Sequence, residues 1–166
     1  MKVVVIMFGM KKSKIRSSKD TRKVLYRPDY MVYAIYNPQT RRYGKRKLVR
    51  IKHSTLPDDV TNKILVNNTA IVVWNNDDLA TLKALLKETE VAQGKIKSII
   101  IQNSLQANEI SYKSLSSVST DLGLKKCPRD GVTSSYKLLL RFVALKRIIK
   151  TILKLAKCEF FSEIIA

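Results

Sequence analysis

The sequence predicts a mixed α+β fold: a small sheet with a β-hairpin, one or two packed helices, and a long basic amphipathic helix near the C-terminus. Three observations carry that expectation. Short apolar or alternating runs, bounded by Gly, Pro, Asn or Asp, mark strands at Val3–Met10, Tyr30–Tyr36, Lys47–His53, Thr69–Trp74 and Ile96–Ile101. Leu79, Leu82, Leu85 and Leu86 recur at helical spacing between two of those strands. The stretch YKLLLRFVALKRIIKTILKLAK, from Tyr136 to Lys157, mixes aliphatic residues and cations without a single acid.

The elements follow in order. Val3–Met10 reads as a first strand; a signal-peptide core is disfavoured because basic residues follow where a small-residue cleavage site belongs. Residues 11–29 read as a basic arm or loop, since KKSKIRSSKDTRK has almost no hydrophobic period. Tyr30–Tyr36 and Lys47–His53 form a hairpin, broken at Asn37-Pro38 because proline donates no backbone hydrogen bond. Its cationic loop centres on Tyr43-Gly44. Pro57-Asp58-Asp59 starts one helix, and Asp77-Asp78, capped by Asn76, starts another that ends at Gly94. Strand, helix and strand between residues 69 and 101 fit a crossover. Residues 103–133 read as irregular, with a short strand near Ile110–Tyr112. A single domain over 1–166 results, with its α/β core at 30–124 and the basic helix at 134–157.

Charge is the outlying quantity: 32 Lys+Arg against 13 Asp+Glu, a net of +19. Residues 11–52 hold 15 cations and two acids, and residues 125–166 hold ten cations and three acids. Between them, residues 53–124 hold six cations and eight acids. Two basic ends around a near-neutral middle imply a polyanionic partner that relieves self-repulsion. Nucleic acid, RNA in preference to DNA, is the first expectation; an anionic membrane surface is the second, and self-association or assembly in a larger particle the third.

The arm cations Lys11, Lys12, Lys14 and Arg16 and the hairpin residues Arg41, Arg42, Tyr43, Lys45, Arg46, Lys47 and Arg50 form the candidate nucleic-acid site. Cations track phosphates while an aromatic stacks on a base. Tyr33 and Tyr36 are assigned to the core, and Tyr43 stands open between stacking and packing. On the C-terminal helix, Lys137, Arg141, Lys146, Arg147, Lys150, Lys154 and Lys157 form a candidate membrane or nucleic-acid surface, with Ala144 on the same side. Three readings of that helix stay open: a core helix with a solvated face, a helix lying on an anionic bilayer, and a clamp on a nucleic-acid backbone.

No enzymatic signature emerges, so no catalytic residue, metal or cofactor is expected. The dinucleotide and P-loop fingerprints are absent. Asp77-Asp78 follows an apolar strand, where nucleases often place carboxylates, but Asp58-Asp59 repeats the pattern, so both pairs read as acids complementing a helix dipole. His53, the single histidine, reads as structural or solvent-exposed. Cys127 and Cys158 read as reduced, and no segment is apolar enough to cross a membrane, so an intracellular protein, free in the cytoplasm or in a virion or organelle particle, is expected.

In charge layout and composition the chain resembles two classes. One is the viral matrix type, a basic α+β protein bridging nucleoprotein and an envelope. The other is the ribosomal type, an organellar α/β domain with basic arms in RNA. The resemblance implies a non-enzymatic structural protein that binds polyanions. A metal-dependent nucleic-acid enzyme, with Asp77 and Asp78 its sole support, is the remaining alternative.

Overall fold

The computed structural model describes residues 2–13, 25–64, 69–86, 97–106, 114–124, 127–129 and 134–155. They form a six-stranded mixed sheet with helices on both faces, the mixed α+β architecture the sequence predicts. The strands are β1 (Lys2–Ser13), β2 (Leu25–Asn37), β3 (Arg42–Tyr43), β4 (Lys47–Arg50), β5 (Thr69–Val73) and β6 (Lys97–Ile100). The helices are α1 (Asp58–Ile64), α2 (Asn76–Leu86), α3 (Ile101–Gln106), α4 (Leu115–Asp121) and α5 (Ser135–Leu155). The sheet order is β3-β2-β1-β5-β6, with β4 also on the outer edge of β2. β1 pairs antiparallel with β2 and parallel with β5, and β5 pairs parallel with β6.

Alternation along the strands sorts residues to the two faces. Val3, Val5, Met7, Val32, Ala34, Ala70, Val72 and Trp74 meet Leu115 and Val118 of α4 and Leu138, Phe142 and Leu145 of α5. Val4, Ile6, Phe8, Met31, Tyr33, Ile71 and Val73 meet Val60 of α1 and Leu82, Leu85 and Leu86 of α2. Apolar burial on both faces explains why β1 and β5 read as continuous aliphatic runs rather than alternating ones. Fully burying residues such as Phe142, Leu138 and Ile71 stabilises by roughly 1.5–3 kcal/mol each.

Four expectations need correction. Residues 11–29 are not all arm or loop: β1 runs on to Ser13 and β2 begins at Leu25, because the two strands pair in register there, from Met10↔Pro28 to Ser13↔Leu25. The α/β core does not start at residue 30, since β1 is its central strand and α5 covers one face. The stretch 103–133 is not uniformly irregular: α3 runs to Gln106 and α4 is capped by Ser114, whose side chain accepts from the Ser117 N–H at 3.2 Å. The cap of α2 is Asn75 rather than Asn76; its Oδ1 accepts from the Asp78 N–H at 3.0 Å. Gly94 and the strand expected at Ile110–Tyr112 lie outside the described residues.

Candidate active site and nucleic-acid surface

Strand order reverses direction between β1 and β5. From β1 the chain moves out to β2; from β5 it moves the other way, through α2, to β6. Ligands of open α/β sheets bind outside the carboxyl ends of the strands at such a switch point. A cleft of about 640 Å³ lies there, lined by Met7, Phe8 and Met10 of β1, Tyr26 of β2, Asn75, Asp77 and Asp78 at the start of α2, and Arg141 of α5.

Asp78 is the buried acid of this cleft, 8% exposed, whereas Asp77 is exposed. β5 pairs with β1 only through Val5, so beyond that point the edge of β1 facing α2 has no strand partner. The Phe8 N–H donates to Asp78 Oδ1 instead, at 3.4 Å. Burial raises the Asp78 carboxyl to about 7; the Phe8 N–H and the Arg141 guanidinium oppose that rise, and Asp77 adds to it. A carboxyl poised near neutral pH in a cleft is suited to proton transfer.

Arg141 is itself 8% exposed and donates from Nη1 to the Pro128 carbonyl at 2.7 Å. It is therefore not part of a solvated cationic face, and Ala144 is buried as well. Lys146, five residues on and so roughly 140° around the helix, serves the opposite flank. Its Nζ stands 5.5 Å from the Tyr43 ring centre and 5.3 Å from that of Phe142. Burial lowers its pKa, and nearby Arg46 and Arg147 lower it further. The two basic ends of the chain thus meet: Arg46 beyond β3 and Lys146 and Arg147 of α5 form one cationic patch.

Tyr43 does not present a face for a base. Its ring packs on Tyr36 at 4.9 Å and lies under Lys146, and its buried hydroxyl has no hydrogen-bond partner among the described residues. Tyr33 and Tyr36 are core residues. Arg41, Arg42, Lys45, Arg46, Lys47, Arg50, Lys11 and Lys12 are exposed, as are Lys137, Arg147 and Lys150. Lys154 belongs to the last turn of α5, and Lys14, Arg16, Lys157 and Cys158 lie outside the described residues. His53 is exposed and Cys127 is buried.

The bilayer reading of α5 is corrected by packing. Leu138, Phe142, Leu145, Ile148 and Ile149 are buried in the core, so the apolar side that would enter a membrane is already covered. Among the described residues no helix is long and apolar enough to cross a membrane.

Nucleases that use metal ions clamp the phosphate between paired ions held by several carboxylates. Here the cleft supplies Asp77 and Asp78, with a guanidinium beside them, and no three His, Cys, Asp or Glu side chains cluster among the described residues. That donor set does not fit a metal pair.

No protein-family model matches the chain, and no curated protein matches it in sequence. Solved structures do match in fold. The nuclease domain of 3'hExo, a DEDDh family member bound to rAMP, aligns with a TM-score of 0.58 and 12% identity over 92% of each chain. A full-length 3'-exonuclease aligns with a TM-score of 0.57 and 11% identity; 92% of this chain spans 60% of that one. Cell-death related nuclease 4 (CRN-4) aligns at 0.54 with 7% identity, over 93% of this chain and 64% of that one. The fold is that of these nucleases.

This corrects the expectation of a non-enzymatic, matrix-like or ribosomal-type structural protein. That reading rested on composition, charge layout and the absence of a catalytic motif, which are surface or local properties, whereas the buried architecture is one shared with a 3'-exonuclease. Sequence reasoning set Asp78 aside because Asp58-Asp59 looked the same. The signal that separates them is the aliphatic run Thr69–Trp74, a strand buried on both faces, directly before the acids.

Proposed function

We propose that the chain is a nucleic-acid enzyme that cleaves phosphodiester bonds in the cleft between β1, α2 and α5. The observation that carries this reading is Asp78: a buried carboxyl raised to about 7, at the switch point of a sheet shared with 3'-exonucleases, facing a guanidinium. In its ionised form Asp78 accepts a proton from an attacking water. The new P–O bond forms as the bond to the leaving sugar oxygen breaks on the opposite side of phosphorus; that oxygen takes its proton from solvent water, and Asp78 later returns its own to solvent. Arg141 faces the phosphate and offsets the charge that accumulates on it. Tyr26 and Met10 line the same cleft and give a base or sugar an apolar wall.

An RNA strand is the favoured substrate. One structural neighbour recognises a histone mRNA stem-loop and another was solved with rAMP. The exposed cations of the hairpin and of α5 suit a phosphate backbone outside the cleft.

The test is degradation of 5'-labelled single-stranded RNA and DNA by wild type and Asp78→Asn, with chelator, magnesium or manganese. Shortening of RNA by wild type and its loss in Asp78→Asn is the expected result. Degradation that survives the substitution, or none under any condition, sinks the reading.

A further inference from the structure

A second concavity, of about 360 Å³, opens where the β1–β2 ribbon meets the chain after β4. Its lining holds four cations, Lys11, Arg27, Arg50 and Lys52, against one acid, Asp29. No ion pair among the described residues neutralises any of the four. Ile51, whose N–H donates to the Asp29 carbonyl at 2.8 Å, fixes the floor.

The turn that closes this concavity is strained. His53 and Ser54 have φ of 55° and 54°, a left-handed pair between Lys52 and Thr55. Consecutive left-handed residues make a type I′ turn, where Asn-Gly is the preferred pair; with side-chained residues it costs roughly 1–2 kcal/mol each. The Thr55 N–H and hydroxyl both donate to the Lys52 carbonyl, at 3.1 and 3.0 Å, and hold the turn shut. The strain places Lys52, His53 and Ser54 on the lining. Three strand cations joined by Lys52 of a strained turn, with one acid among them, have the form of a site whose missing charge arrives with a ligand.

Its position says which ligand. Met10 and Tyr26 line the cleft, and the next residue along each strand, Lys11 and Arg27, lines this pocket. Both sites lie at the same end of the β1–β2 ribbon, on its two faces, because successive side chains alternate along each strand. We infer that this pocket holds the phosphodiester backbone of the strand whose end occupies the cleft, as a separate phosphate site. The inference rests on the nucleic-acid reading above.

The test is the double variant Arg50→Ala/Lys52→Ala, both exposed and outside the core. Binding of a fluorescent single-stranded dodecanucleotide is followed across a salt series. Lys83→Ala/Lys97→Ala, which removes the same charge from exposed positions elsewhere, is the control. Two lost contacts should flatten the log–log salt slope by about 1.4 and weaken binding about 20-fold near 0.1 M salt, with the control near wild type. If wild type binds the oligonucleotide and both double variants weaken it equally, or neither does, the pocket inference is overturned while the nucleic-acid reading stands. Tripolyphosphate is the second probe. If wild type ignores the oligonucleotide but binds tripolyphosphate through Arg50 and Lys52, the pocket serves a free polyphosphate and the nucleic-acid reading fails. Binding of neither probe overturns both.

Discussion

Asp58 and Asp59 open α1 as Asp77 and Asp78 open α2, and in each case the acids lie in the first helical turn. The similarity ends at the second residue. Asp58 and Asp59 are exposed, and α1 begins at the surface after Pro57. Asp78 is turned under the end of β1, where a backbone N–H left over from strand pairing meets it and Arg141 stands nearby. The helix dipole favours all four acids alike. What separates them is desolvation, imposed on Asp78 by the elements packed around the end of β1.

The largest effect that would sharpen this contrast is catalytic. Asp78→Asn should lower the cleavage rate by about 100-fold or more, while Asp59→Asn leaves it unchanged; single-turnover decay of labelled RNA measures both. Equal losses at the two sites would erase the distinction. Next is Arg141→Ala, which leaves the Pro128 carbonyl only the Cys127 thiol, at 3.5 Å, as a donor and Asp78 without its opposing cation. It should cost about 3 kcal/mol in urea unfolding and move the midpoint of the pH–rate profile upward, because Arg141 holds the Asp78 carboxyl down.

Stability against pH sharpens the comparison further. The folded value of Asp78, about 7, lies above its ordinary 3.8, so burial favours the protonated form. That contribution is fully present below pH 3.8 and is lost as pH rises through about 7. The melting temperature of wild type should therefore fall relative to Asp78→Asn between those limits and then run parallel to it. A flat difference across that window would mean that Asp78 is not desolvated. The smallest effect belongs to the other pair: Asp59→Asn should change unfolding free energy by less than about 0.5 kcal/mol, as read from denaturant midpoints.

Much of the fold was legible because it is written in short-range pattern. The aliphatic runs of β1 and β5, the alternation of β4, Pro57 before α1 and the leucines of α2 each announce their element through burial or turn chemistry. The candidate site was less legible, for the same reason read in reverse. Asp78 carries the local signature of a helix start after a buried strand, and its desolvation depends on Phe8, 70 residues away in sequence. Lys146 and Arg141 both read as members of one basic surface of the C-terminal helix. One covers Tyr43 and Phe142 and the other is buried beside the cleft, because α5 packs its apolar face on the sheet and sends its two flanks to different neighbours.

By itself, then, the chain's sequence determined most of the strands, the helices α1, α2 and α5, and the two basic ends, since propensity, periodicity and net charge are local or additive quantities. The tertiary structure decided which acid is desolvated, which cations converge and where the cleft opens. Those depend on strand order, and strand order is set by contacts between segments far apart in the chain, which no local pattern encodes.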